Sequence, residues 1–225
     1  MKFYNKAITL QKIKCKNASI PKFVIINTKD FLNKKHSTLT KVVKFFNQND
    51  FLIVRSSSLE EDTNITSNAG RFESVPMVKN NVIDLDIAIN RVVNSYKKNK
   101  NNSIVFVQKM ISDCDFSGVI TTCNLSNQAP YYVINYFEGK DTAAATNGKA
   151  NTKNYFQFKY NDKIGDKKFK DIIKLARELE IKFNNSYLDI EFGFKKGKVY
   201  LFQVRPIVLT KKKILFDQKN FEDSL

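Results

Sequence analysis

Tyr187-Leu188-Asp189-Ile190-Glu191-Phe192-Gly193-Phe194-Lys195-Lys196-Gly197-Lys198-Val199-Tyr200-Leu201-Phe202-Gln203-Val204-Arg205-Pro206-Ile207 alternates polar and apolar residues on both sides of a Lys-Gly break. Side chains two apart share a face of a β-strand. Asp189 and Glu191 therefore stand on one face, and Ile190, Phe192 and Phe194 on the other. On the second strand Tyr200, Phe202 and Val204 form the expected apolar set, with Gln203 and Arg205 opposite to it. A three-residue loop Lys195-Lys196-Gly197, with Gly197 at positive φ, sets Ile190 against Phe202 and Asp189 against Gln203. A two-residue turn is expected to set acids against apolar residues, so the chemistry favours the longer loop. The stretch predicts a hairpin with a hydrophobic floor and a polar face of Asp189, Glu191, Gln203 and Arg205.

Such a face suits an anion held together with a hard cation. Magnesium takes one or two carboxylates and completes its shell with phosphate oxygens and water. Arg205 offers a rigid fork of donors to phosphate. An ordinary amphipathic hairpin with solvated acids accounts for the alternation equally well. A second segment adds to the argument: Phe51-Leu-Ile-Val-Arg55-Ser56-Ser57-Ser58, then Ser67-Asn68-Ala69-Gly70-Arg71-Phe72-Glu73-Ser74. An apolar strand leads into an arginine and hydroxyls, and small residues around Gly70 let backbone N–H groups approach an anion. Taken alone, a strand and a polar loop explain it too. The chain has no Gly-x-Ser-x-Gly elbow, so the serine cluster does not mark a hydrolase of that kind.

Taken together, five blocks occur in the order seen in a known family. They are Val54-Arg55-Ser56-Ser57, Ala69-Gly70 leading to Glu73-Ser74, Val107-Gln108-Lys109-Met110, Ser117-Gly118-Val119, and Asp189-Ile-Glu191 with Gln203-Val-Arg205-Pro206-Ile207. They resemble the nucleotide-binding domain of phosphoenolpyruvate synthase and pyruvate phosphate dikinase over nearly the whole chain. The resemblance implies an α+β, ATP-grasp-like fold in which two lobes, built of mostly antiparallel sheets with flanking helices, close over ATP. It makes Glu191 and Gln203 the metal ligands for Mg2+, with Asp189 as a supporting acid. Arg55 and Arg205 become the phosphate-binding, catalytic arginines, and Ser67, Ala69 and Gly70 the phosphate loop. Asn5-Lys6-Ala7-Ile-Thr-Leu10 is similar to the family's Gly-Lys-Gly-Ala-Asn-Leu without its flanking glycines, which nominates Lys6 for the nucleotide phosphates. A surface lysine at a helix start is the other reading of Lys6. The apolar run Ile104-Val105-Phe106-Val107 predicts a buried strand, and Gln108-Lys109-Met110 after it resembles the hinge that receives adenine. Met110 is equally at home as plain core.

The chain also departs from the family. Where relatives read Gly-Leu-Gly-Glu, it has Tyr131-Tyr-Val-Ile-Asn135-Tyr-Phe-Glu138-Gly139-Lys-Asp141-Thr142, followed by Thr146-Asn147-Gly148. It lacks the basic segment many relatives carry before the hinge, a role open to Lys97, Lys98 or Lys100. Family members relay a phosphoryl group through a histidine in a separate domain to an acceptor in a third, and neither is in this sequence. His36, the only histidine, sits in a polar approach to a helix and is expected on the surface. The resemblance thus implies an ATP-dependent phosphotransferase incomplete as an isolated chain. Its phosphohistidine and acceptor domains are expected from a longer chain or a partner. Relatives that phosphorylate rifampicin or glutamine make a small-molecule kinase the alternative, and a non-catalytic nucleotide sensor is a further one.

Length and composition set the frame. The 225 residues suffice for two small lobes. We expect an N-terminal lobe over 1–103 with Lys6, Arg55 and the Gly70 loop, a C-terminal lobe over 104–210 with hinge and hairpin, and 211–225 as a tail or the start of a linker. The net charge of +16 raises the prospect of nucleic-acid binding. The lysines are scattered and mixed with asparagine, with no nucleic-acid motif, which argues against it and leaves a field that attracts nucleotide anions. No apolar run is long enough for a membrane span, and no signal-peptide core opens the chain. Cys15, Cys114 and Cys123 form neither an even framework nor a Cys-x-x-Cys pair, so a cytoplasmic setting is expected. Helical spacing is found after Thr38, the expected cap of Leu39, Val42, Val43 and Phe46. It recurs over Leu85–Tyr96 and over Phe169–Phe183.

Overall fold

A computed structural model describes residues 1–57, 73–96, 103–139, 152–161 and 163–209. Nine strands and five α-helices are described there: α1 (Lys6–Lys12), β1 (Phe23–Asn27), α2 (Thr28–Asn33), α3 (Lys35–Phe45), β2 (Phe51–Ser57), β3 (Ser74–Lys79), α4 (Val82–Ser95), β4 (Ile104–Lys109), β5 (Phe116–Thr121), β6 (Tyr131–Phe137), β7 (Lys153–Phe158), α5 (Lys170–Phe183), β8 (Leu188–Lys195) and β9 (Lys198–Pro206). They form two antiparallel sheets, ordered β1-β4-β2-β3 and β7-β6-β5-β8-β9. The α+β, two-sheet architecture with flanking helices is the one the sequence predicts.

The first sheet buries Ile26, Leu52, Val54, Val105 and Val107 beneath Leu39 and Val42 of α3 and Leu85, Ala88, Ile89, Val92 and Val93 of α4. Each valine, leucine or isoleucine side chain among them contributes about 1.5–3 kcal/mol by leaving water. Helix α4 begins at Val82, three residues ahead of the expected Leu85, and Asn81 caps it by accepting from the Asp84 N–H at 2.8 Å. Helix α3 begins at Lys35, ahead of the expected cap Thr38, and Lys34 at its N-cap makes no side-chain capping bond. His36 is exposed, as expected.

The second sheet packs Phe116, Ile120, Ile134, Leu188, Ile190, Phe192, Val199, Leu201 and Val204 against Ile172, Ile173, Ala176, Leu179 and Phe183 of α5 and Ala7, Leu10 and Ile13 of α1. Two features correct the expected layout. Strand β4 pairs with β1 and β2, so it belongs to the first sheet, and the change of sheet falls after Lys109 instead of at 104. Helix α1 packs on β9 and shares the second core, so the N-terminus does not stay with the first lobe.

The hairpin register also differs from expectation. The turn is two residues, Lys196 (φ 50) and Gly197 (φ 74), and a bulge falls between Glu191 and Phe192 of β8, with Phe202 as the extra residue of β9. Near the turn Phe192 faces Leu201; beyond the bulge Glu191 faces Gln203, Ile190 faces Val204 and Asp189 faces Arg205. The apolar wall of β9 is therefore Val199, Leu201 and Val204, not Tyr200, Phe202 and Val204. A two-residue turn alone would have mismatched the faces; the bulge shifts the register by one and restores the match.

Candidate functional site

The polar face of the hairpin is linked to the first sheet through Arg55. Arg55, near the end of β2, reaches across and donates from Nη2 to Glu191 Oε2 at 2.8 Å, with the two side chains 13% and 16% exposed. Arg205 donates to Asp189 Oδ2 from Nε at 2.8 Å and lies 2.7 Å from it through Nη2. Gln203, directly opposite Glu191, is buried. Lys6 opens α1, whose N-cap Asn5 accepts from the Ile8 N–H at 3.0 Å, and its charge acts on both Asp189 and Glu191. The Ala7 N–H donates to Ser57 Oγ at 3.0 Å, fixing α1 to the end of the same strand that carries Arg55.

Thus the structure brings together Lys6, Arg55, Asp189, Glu191, Gln203 and Arg205 from four elements. The two carboxylates are held differently. Burial pushes Glu191 up, but the charge and hydrogen bond of Arg55, with Lys6 and Arg205 behind, outweigh it and keep the group below its ordinary value. Burial also pushes Asp189 up, and there Arg205 and Lys6 do not cancel the burial and the nearby Glu191 charge, so its value stays raised. Both ion pairs use one carboxylate oxygen, Oε2 of Glu191 and Oδ2 of Asp189.

The hinge residues separate. Gln108 is 2% exposed on the β4 face it shares with Phe106, between Phe23 and Ile53 of the neighbouring strands, and its Nε2 has no hydrogen-bond partner among the described residues. Lys109 points to the opposite face and pairs with Asp50 at 2.5 Å. The backbone N–H groups of Lys109 and Met110 already donate to Lys22 and Phe51 carbonyls, both at 2.8 Å. The expected hinge therefore has no free backbone donor at these two residues, and its unsatisfied group is the Gln108 side chain. Ser67, Ala69, Gly70 and Arg71 lie outside the described residues, as do Lys97, Lys98, Lys100, Asp141, Thr142 and Thr146–Gly148. Asn135 lies within them, donating to Asn154 Oδ1 at 2.9 Å.

Ser117, part of the Ser117-Gly118-Val119 block, is 1% exposed, and its Oγ has no hydrogen-bond partner among the described residues. Sequence reasoning missed one set of residues altogether. Beside β6 and α5, Lys159 and Tyr132 both engage Glu180, next to a cavity of about 560 Å3 whose lining includes Tyr160, Asn184 and Tyr187. These contacts join β6, α5 and the segment after β7, and no local pattern announces them. Among the described residues there is no group of three His, Cys, Asp or Glu suited to a metal, and no helix long and apolar enough to cross a membrane. The three cysteines are free.

No protein-family model matches the chain, and no curated protein matches it. Solved structures do. D-alanine–D-alanine ligase from Helicobacter pylori aligns over 91% of this chain and 54% of its own length, at 15% identity and a TM-score of 0.52. The same ligase from Bacillus anthracis aligns over 87% and 53%, at 14% identity and 0.46. D-alanyl-alanine synthetase A from Vibrio cholerae aligns over 84% and 51%, at 14% and 0.46. The chain spans about half the length of these enzymes. The Helicobacter likeness, together with the two antiparallel sheets, gives the architecture as ATP-grasp-like.

Proposed function

We propose that the cleft between the sheets binds ATP with Mg2+ and donates a phosphoryl group, as the nucleotide-binding domain of a phosphoenolpyruvate synthase or dikinase-like phosphotransferase. The observation that carries this is the convergence of Lys6, Arg55 and Arg205 on Asp189 and Glu191, with Arg55 spanning the two sheets. Two carboxylates and the carbonyl of Gln203 are hard oxygen donors on adjacent strands, a set that fits magnesium, which fills its remaining positions with phosphate and water. Glu191 and Gln203 would hold the ion, with Asp189 beside them. Magnesium, when bound, neutralises and orients the phosphates. Arg55, Arg205 and Lys6 stabilise the charge that spreads over the transferred group, so positioning and electrostatics carry the catalysis. The buried amide of Gln108 is the group best suited to the adenine edge.

The dikinase assignment rests on the sequence resemblance. The acceptor is a histidine or a small molecule, supplied by a longer chain or a partner. A second reading, ATP-dependent ligation, follows from the fold likeness to a D-alanine–D-alanine ligase. ATP titrated calorimetrically with and without Mg2+ tests the common core. Wild-type protein should bind in a magnesium-dependent way, and Glu191→Ala/Arg205→Ala should lose at least about tenfold in affinity, roughly 1.4 kcal/mol. Unchanged binding in that variant, with folding verified by circular dichroism, overturns the proposal. Phosphorus NMR of the products then separates AMP-forming from ADP-forming transfer, and binding without turnover favours a sensor.

A further inference from the structure

The Arg55–Glu191 pair joins two opposite charges that are almost withdrawn from water. Separating such a pair removes each partner's strongest opposite charge in a poorly solvated site and leaves Glu191 only the weaker charges of Lys6 and Arg205, which costs more than the pair itself is worth. A divalent cation arriving alone at Glu191 either displaces Arg55 from Oε2 or shares the carboxylate with it, setting two positive charges side by side. A phosphate arriving alone at Arg55 must strand a carboxylate beside an incoming polyanion. Arriving together, they exchange partners: the carboxylate passes to the metal, the guanidinium to the phosphate, and no charge is left unpaired. On the nucleotide-binding reading of this cleft, we propose that Arg55 fills the cation position of Glu191 in the unliganded protein. The pair thereby obliges divalent cation and nucleotide phosphate to bind as a unit. The companion pair at Asp189 imposes this less strongly, because Arg205 is 44% exposed and keeps water as a partner.

Each half of the exchange has its own test. Glu191→Gln keeps a hydrogen-bond acceptor for Arg55 but removes the charge that holds it. ATP titrated calorimetrically in EDTA should bind this variant about tenfold more tightly than wild type. Arg55→Gln uncovers the carboxylate, and Mn2+ titrated without nucleotide and followed by electron paramagnetic resonance should bind about tenfold more tightly than to wild type. Lys153→Gln takes a positive partner from the exposed carboxylate Glu138 elsewhere on the second sheet and should leave Mn2+ binding unchanged. If either gain is absent, or if Lys153→Gln reproduces the Mn2+ gain, the coupling is overturned. If wild type binds Mg-ATP and the gains are absent, only the coupling falls; if wild type binds no Mg-ATP, the nucleotide reading falls first.

Discussion

Gly118 shows what a single residue contributes that no motif explains. A Cβ at this position of β5 would lie 2.1 Å from the backbone oxygen of Asn135 and 2.8 Å from Tyr136 Cα, both on β6. Those atoms belong to a paired strand and cannot swing away as a side-chain tip could, so the two backbones approach this closely only because residue 118 has no side chain. The phenyl ring of Phe116 and the side chain of Ile120, its neighbours on the same face, are part of the second core. Gly118→Ala should therefore cost about 2–3 kcal/mol, as overpacking of a filled interior does, read as a lower midpoint in urea unfolding at unchanged slope. Ser117-Gly118-Val119 was legible as a block of the resemblance, but its reason was not: the obstacle is a backbone carbonyl on another strand. The same distance hides the Arg55–Glu191 pair. Each residue was nominated from its own strand, yet nothing in either segment says that one caps the other.

At the scale of an element, the β8–β9 hairpin was half legible. Alternation put Asp189, Glu191, Gln203 and Arg205 on one face, where they are, because that periodicity is a property of any strand. The turn and the register were not, since one extra residue changes the pairing without leaving a mark in composition. Phe202 is that residue, and its ring lies over Gly193, where a Cβ would come within 2.6 Å of it. Without Phe202 the strand would alternate perfectly, with Val199, Leu201 and Val204 inward and Tyr200, Gln203 and Arg205 outward. Deletion of Phe202 should thus preserve the pairs Glu191 with Gln203 and Ile190 with Val204, detectable as cross-strand nuclear Overhauser contacts. It should also remove the local bend that aims Gln203 and Arg205, weakening Mg-ATP binding about tenfold, since bulges beside sites serve to re-aim side chains. Retained affinity would make the bulge a feature of packing alone.

The whole molecule is threaded less simply than a division at 103 and 104 suggests, and its N-terminal segment is the reason. Met1 donates to the Lys182 carbonyl at 2.9 Å, Phe3 stacks on Phe183 with ring centroids 4.0 Å apart, and Ser19 bridges Tyr200 at the edge of β9. These contacts tie the first twenty residues to α5 and the hairpin, a placement set by long-range burial that a linear reading cannot reach. Glu178 on α5 is the polar centre of the tie. It accepts from the Lys16 N–H at 2.8 Å, from the Asn17 N–H at 2.9 Å and from Asn17 Nδ2 at 2.8 Å, with Lys182 3.6 Å away. Burial pushes its carboxyl up, but the two backbone N–H groups, Asn17 and Lys182 outweigh burial and hold it below the ordinary value of 4.5. A lowered folded-state value means that the ionised carboxylate favours the folded chain. That contribution is complete above the ordinary range and is lost as pH falls through the depressed value. Hydrogen bonds to a charged group of this kind are worth about 1.5–3 kcal/mol net. Wild type should accordingly exceed Glu178→Gln in unfolding free energy by about that amount at pH 7, and the gap should close steadily as urea titrations are repeated below pH 4.5. A gap that stayed constant down to the most acid pH at which the chain folds would mean that shape, and not charge, holds the N-terminal segment to α5.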